Sequence, residues 1–284
     1  MANGAGEDGE AFVVYEPATH SVPPLGQYFR SVWERREFVW ELSVSKLTAA
    51  NFNTALGQFW NLLTPVLLAI CYLLLLRVLR DGDRGSSDHV AALLSGLFFF
   101  FYTRNCLQEG AKSLLAGEKF LLNSALPRMT LPLSAVLVAF LQFVPTFVVY
   151  LFVHRFVLQR SFGVGFTYLP IMLVILTVFN IGLTLTMAVL TVYVRDTSTA
   201  MPIMTRLWIY LTPVLFLVED IPPHLKPIFY ANPIFPLFAS LQDVVGGDRP
   251  DPKALFAAGA WATVAFTIGV LLFVTRERDF AVRL

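Results

Sequence analysis

Six apolar segments set the rhythm of the chain, at residues 59–79, 90–108, 131–153, 168–194, 201–218 and 254–274. Each is near the roughly 20 residues a helix needs to cross a hydrocarbon layer about 30 Å thick. The third, fourth and sixth carry no Asp, Glu, Lys or Arg, while the first holds Arg77 near its end, the second Arg104 and the fifth Arg206. Asp251 and Pro252, just ahead of the sixth, fit an N-cap and a first-turn proline. Between the fifth and sixth segments stand Pro222, Pro223, Pro227, Pro233, Pro236, Pro250 and Pro252, around a short apolar run at 228–237. That run is too broken to span. Irregular backbone survives at membrane depth only inside protein or beside water. Short re-entrant helices between spans five and six are therefore predicted.

Upstream, residues 28–58 place Phe29, Val32, Trp33, Trp40, Val44 and Leu47 at helical spacing, with Glu34, Glu37 and Glu41 off that stripe. Ser31 and Glu34 have the spacing of a capping box. Two Trp on the apolar side of a charged helix predict an amphipathic helix lying in the membrane interface. A water-facing helix packed on the rest of the chain is the alternative. Residues 1–27 form an acidic tail with Glu7, Asp8, Glu10 and Glu16 and no Lys or Arg, unlike a signal peptide. Gly4, Gly6 and Gly9 match a dinucleotide-loop spacing, but no strand precedes them, so they read as tail.

Composition agrees with the pattern. Of 284 residues, 56% are hydrophobic and 14% charged, and Phe alone numbers 26. A soluble domain carries about 25% charged residues, so too little polar surface is present for a soluble enzyme or a disordered chain. A net charge of +1 gives no reason to expect nucleic acid. Cys71 and Cys106 lie in apolar stretches without metal or redox spacing. The fold class is thus an all-α membrane protein with six transmembrane helices. It divides into a flexible cytoplasmic tail (1–27), an interface helix with a coupling segment (28–58) and a permease domain (59–284). The side holding Arg30, Arg35, Arg36, Lys112, Arg128 and Arg276 is richer in Lys and Arg than the side holding Arg155, Arg160, Lys226 and Arg249. That bias predicts a multi-pass protein of the cytoplasmic membrane with both termini in the cytoplasm.

Catalytic signatures are missing. The sequence has no G-x-x-x-x-G-K-[ST] phosphate loop, no H-E-x-x-H and no G-x-S-x-G, and no metal site is predicted. The six apolar segments hold no Asp or Glu in their interiors, where proton-driven carriers keep their relays. The driving force is therefore expected from a partner chain. Aromatic residues are the positive signal. Trp60, Tyr72, Phe98, Phe101, Tyr102, Trp208, Tyr210 and Phe216 are candidates for lining a substrate channel, since ring faces pack on the apolar faces of sugars; apolar burial would place the same letters. Arg104 and Arg206, with Arg30 and Arg36 on the interface helix, are candidates for contacting an anionic head group such as a diphosphate; snorkelling to lipid head groups is the alternative. Residues 109–128 read as a short amphipathic helix able to press into a groove on a soluble partner, or as a plain connection.

Three stretches, taken together, resemble the permease subunits of type-two ABC exporters that move polysaccharides such as O-antigen, teichoic acid and galactan. They are LGQFWNLLTP from Leu56 to Pro65, LLNSALPRMTLP from Leu121 to Pro132, and a course from Arg195 and Asp196 through Leu211–Leu215, Ile221–Pro223 and Ala231–Pro236. Thr212 stands where Ser is common, and Gln242 and Asp243 where Arg-Asp is frequent. The resemblance covers about residues 28–284 and is nearest to actinobacterial galactan exporters. It implies a homodimer of permease chains with two ATP-binding subunits, which would carry ATP and Mg; no cofactor is implied in this chain. It implies ATPase coupling through Thr48, Asn51, Asn53, Glu118, Lys119, Phe120 and Asn123. The implied substrate is a glycan on a polyprenyl diphosphate. A multidrug or lipid exporter of the same superfamily, and a membrane-embedded polyprenol-glycan enzyme, are the competing readings.

Overall fold

The computed structural model describes residues 25–51, 59–60, 63–64, 66–68, 70–71, 74, 87–117, 127–222 and 224–280. Among these the chain is helical, with no strand. We label α1 (Leu25–Glu34), α2 (Arg36–Asn51), α3 (Ser87–Ala116), α4 (Thr130–Phe152), α5 (Leu169–Tyr193), α6 (Asp196–Trp208), α7 (Lys226–Tyr230), α8 (Phe235–Gly246) and α9 (Pro252–Arg276). Four helical stretches are long and apolar enough to cross a membrane: Val90–Ala116, Thr130–Val157, Val164–Tyr193 and Pro252–Asp279. They correspond to the second, third, fourth and sixth apolar segments. Asp251 caps α9 as expected, its side chain accepting from the Lys253 N–H with Pro252 in the first turn.

The centre is the contact of α5 with α9. A Cβ on Gly182 would collide with the backbone of Ala265, and one on Gly269 with the carbonyl of Gly182. Only glycine at these positions lets the two helices touch main chain to main chain, the kind of packing that holds helices together where lipid removes the hydrophobic drive. The two helices run parallel, with Gly165 beside Asp248 at one end and Tyr193 bonded to Asp279 at the other. α3 lies along α5, where Gly110 meets Thr184 and the Thr184 hydroxyl donates to the Cys106 carbonyl. α4 runs antiparallel to α3, and Phe99, Tyr102, Phe143 and Phe147 interleave between them.

Several boundaries differ from the sequence pattern. The helix expected over 201–218 is Asp196–Trp208 plus one 3-10 turn, Ile209–Leu211. Thr212 then adopts extended backbone, ψ 143°, because the following Pro213 disfavours the helical region. Residues 109–116 are not a separate amphipathic helix; they continue α3. The interface helix is two helices meeting at Arg35. Ser31 lies inside α1, its hydroxyl bonded to the Tyr28 carbonyl, so it caps nothing. The proline-rich stretch does form two short helices, α7 and α8. α8 ends on Gly247, whose φ of 100° only glycine adopts without strain.

Gly182→Val should destabilise the α5–α9 contact by about 1–3 kcal/mol through overpacking, read as a lower midpoint in detergent unfolding. Gly259→Ala, in open space on α9, should raise the midpoint slightly through helix propensity.

Candidate functional site

The strongest polar constellation in the bundle surrounds the broken end of α6. Thr205 on α6 accepts a hydrogen bond from Gln108 of α3 at 3.1 Å, which fixes the two helices side by side. Arg104 lies one turn before Gln108 and Arg206 follows Thr205. The two positive charges repel each other, and neither has an ion pair among the described residues. The Arg104 guanidinium rests over the Phe101 ring at 4.5 Å and reaches Asn105 at 3.5 Å. Its Nε is buried with no partner. Arg104 is half-buried and Arg206 exposed, on two helices that the Gln108–Thr205 bond holds side by side.

Beyond α6 the backbone from Thr212 to Ile221 is irregular apart from one 3-10 turn, Val218–Asp220, and two side-chain amides satisfy it. Gln242 of α8 accepts from the Val218 N–H at 2.9 Å and donates to the carbonyls of Pro213 at 2.8 Å and Phe216 at 2.9 Å. Asn232, at the α7–α8 turn, accepts from the Trp208 indole at 3.0 Å and donates to the Leu211 carbonyl at 2.8 Å. Trp208 meets Phe100 edge-on, and Phe100 also meets Phe238 of α8. The α7–α8 turn therefore reaches the level of Phe100, well inside α3 rather than at its start. Apart from the Asn232 bond to the Ile234 N–H, both amides act on backbone groups remote in sequence.

The predicted aromatic set is distributed unevenly. Phe98 and Tyr102 are buried in the chain's own core, Phe98 against Tyr150 and Tyr102 stacked on Phe143 with its hydroxyl on Thr177. Phe101 and Trp208 are half-buried, Phe216 packs on Phe229, and Tyr210 is 63% exposed. Trp60 is exposed, and Tyr72 lies outside the described residues.

α1 and α2 turn their aromatic stripe outward. Trp33 is 69% exposed and Trp40 is exposed too. With Leu133 and Leu137 of α4 they wall a cavity of about 920 Å³, also bordered by Arg30 and Arg36. Arg30 pairs with Glu34 at 3.0 Å and Arg36 sits over Trp33, both in exposed positions. Ser43 and Lys46 of α2 face the bundle instead, while Glu37 and Glu41 share the outward side with the aromatics. Ser43 donates to the Ser134 carbonyl and Lys46 to the Ser134 hydroxyl at 3.0 Å. Burial lowers the Lys46 pKa, and the Glu109 charge opposes that shift. Thr48 is exposed, with its hydroxyl on the Val44 carbonyl, and Asn51 ends α2. Asn53, Glu118, Lys119, Phe120 and Asn123 lie outside the described residues.

Bundle and broken helix together define a multi-pass membrane protein, and comparison places it more narrowly. Residues 39–245 match the family described as ABC-2 type transporter, and the chain belongs to that family of transport permeases. Proteins named O-antigen export system permease protein RfbA are similar to it. One from Klebsiella pneumoniae is 24% identical over 195 residues, 68% of this chain and 73% of that protein. One from Myxococcus xanthus is 25% identical over 259 residues, 89% of this chain and 97% of that protein.

Gln242→Leu should leave the Val218 N–H and two carbonyls unpaired. Each unpaired group costs about 1–3 kcal/mol. Amide exchange across 214–218 should accelerate while α4 and α5 keep their protection.

Proposed function

We propose that the chain is the membrane-spanning half of an ATP-driven exporter that moves a polyprenyl-diphosphate-linked polysaccharide, galactan-like in its backbone, across the cytoplasmic membrane. The observation that carries the reading is the likeness to O-antigen export permeases, which extends over 97% of one of them. The unneutralised pair Arg104 and Arg206 supports it, because a diphosphate head group is the anion such a pair suits. Six spans place both termini in the cytoplasm, with residues 59–79 as the first and α6 as the fifth. α7 and α8 dip from the outer face as a re-entrant pair, consistent with the depth of the Asn232 turn.

The working unit is a homodimer of this chain with two ATP-binding subunits, which bind ATP and Mg and contact Thr48, Asn51, Asn53 and the segment Glu118, Lys119, Phe120 and Asn123. ATP-driven closure can shift the permease between pore states only by contacting the two states differently. Trp60, Phe101, Tyr210 and Phe216 are the aromatics placed to meet a passing glycan. Phe98 and Tyr102 back that wall from within. Tyr72 completes the proposed set. Arg30 and Arg36, with Trp33 and Trp40, hold the interface helix at the head-group layer.

Depletion of the chain should make lipid-linked glycan accumulate inside the cell while drug sensitivity stays unchanged. The reverse pattern would overturn the reading in favour of a drug exporter. Glu118→Lys combined with Lys119→Glu should leave the chain in the membrane yet uncouple ATP hydrolysis from export. The check is surface polymer measured against ATPase rate.

A further inference from the structure

Three elements that are remote in sequence meet at the end of the bundle where α4 begins. Arg128 donates twice to Glu277: its backbone N–H to Oε1 at 2.9 Å and its guanidinium to the backbone carbonyl. Arg128 stands one residue before the N-cap of α4, Met129, and the Thr130 hydroxyl donates to the Pro127 carbonyl. Glu277 follows the last residue of α9. Over this double contact lies Tyr28 of α1, buried among Met129, Phe273 and Phe280. Its hydroxyl lies beside the Glu277 carboxylate. Burial, then that carboxylate, pushes the phenol above its ordinary range. One turn further along, Asp279 accepts from Tyr193 at 2.6 Å and pairs with Arg276, which ties the same end to α5.

These bonds are not what an isolated helix end needs. A lone α9 would leave its last carbonyls to water. Here a guanidinium takes one, and the carboxylate that follows closes the entry to a different helix. Arg128 is also the second residue after the segment 118–126 in the chain.

We infer that Glu277 is a positioning residue: it locks the entry of α4, the end of α9 and the α1 helix into one rigid joint, so that force delivered to 118–126 moves all three together. The inference rests on the reading of 118–123 as the ATPase contact, and it adds where that force goes next. Without the joint, α4 would tilt alone. α1 and α2, tied to α4 through Ser43 and Lys46 on Ser134 and through apolar packing of Val32 and Leu42, would lag behind it.

The test uses the full chain in its complex with the ATP-binding subunit, and in cells that lack another copy. Glu277→Ala should raise amide exchange at 127–134 and 25–34. It should lower surface polymer per membrane-inserted chain about ten-fold, the effect expected for loss of one charge-assisted hydrogen bond, while ATP hydrolysis by the complex continues. Glu277→Gln keeps an acceptor oxygen and should recover most export. Unchanged exchange in Glu277→Ala, or export falling only in step with the amount of inserted chain, overturns the joint. A normal Glu277→Ala beside a defective Glu118→Lys, Lys119→Glu chain also overturns it and leaves the coupling reading standing. A defective Glu277→Ala beside a normal charge-reversed chain removes the coupling reading and leaves the joint.

Discussion

Backbone contact between α5 and α9 is the constraint from which the rest of the bundle takes its register. Gly182 and Gly269 hold the two axes so close that neither helix can slide or rotate without a steric clash. In lipid this close approach replaces the hydrophobic drive that water supplies to soluble cores. With α5 fixed, Thr184 sets the height of α3 through Cys106 and Gly110. α3 in turn sets α6 through Gln108 and Thr205. The distance between Arg104 and Arg206 is thus decided by glycines on helices that hold neither arginine.

Long uniform segments were legible in the sequence. α4, α5 and α9 fall within a residue or two of their hydropathy, and the Asp251 cap was visible because its signal is local. Failures came where local and tertiary terms compete. α6 starts at Asp196, in a polar run that hydropathy passes over, and stops before Pro213, whose effect on Thr212 is steric rather than hydrophobic. α3 continues past Gln108 because nothing between Glu109 and Ala116 breaks a helix strongly enough. Ser31 has capping spacing, yet its hydroxyl finds the Tyr28 carbonyl first.

The site was half legible for a related reason. Residue type marked Arg104 and Arg206 as candidates, because a guanidinium in an apolar run is costly. Type alone could not separate Tyr102, locked on Phe143 and Thr177, from Tyr210, which faces outward. A run of aromatics covers every face of its helix, and only the neighbouring helices decide which rings are left over. Asn232 and Gln242 stood out only by their place in the resembling course, and what each amide holds depends on the backbone groups it meets.

Gln242 spends its carbonyl and its amide protons on three backbone groups at once. Loosening the stretch it holds means breaking these bonds together, and at about 1 kcal/mol net for each spontaneous opening would be a rare event. A conduit wide enough for a sugar chain is also wide enough for ions. A stretch held shut this way would lower the leak of ions through such a conduit between transport events.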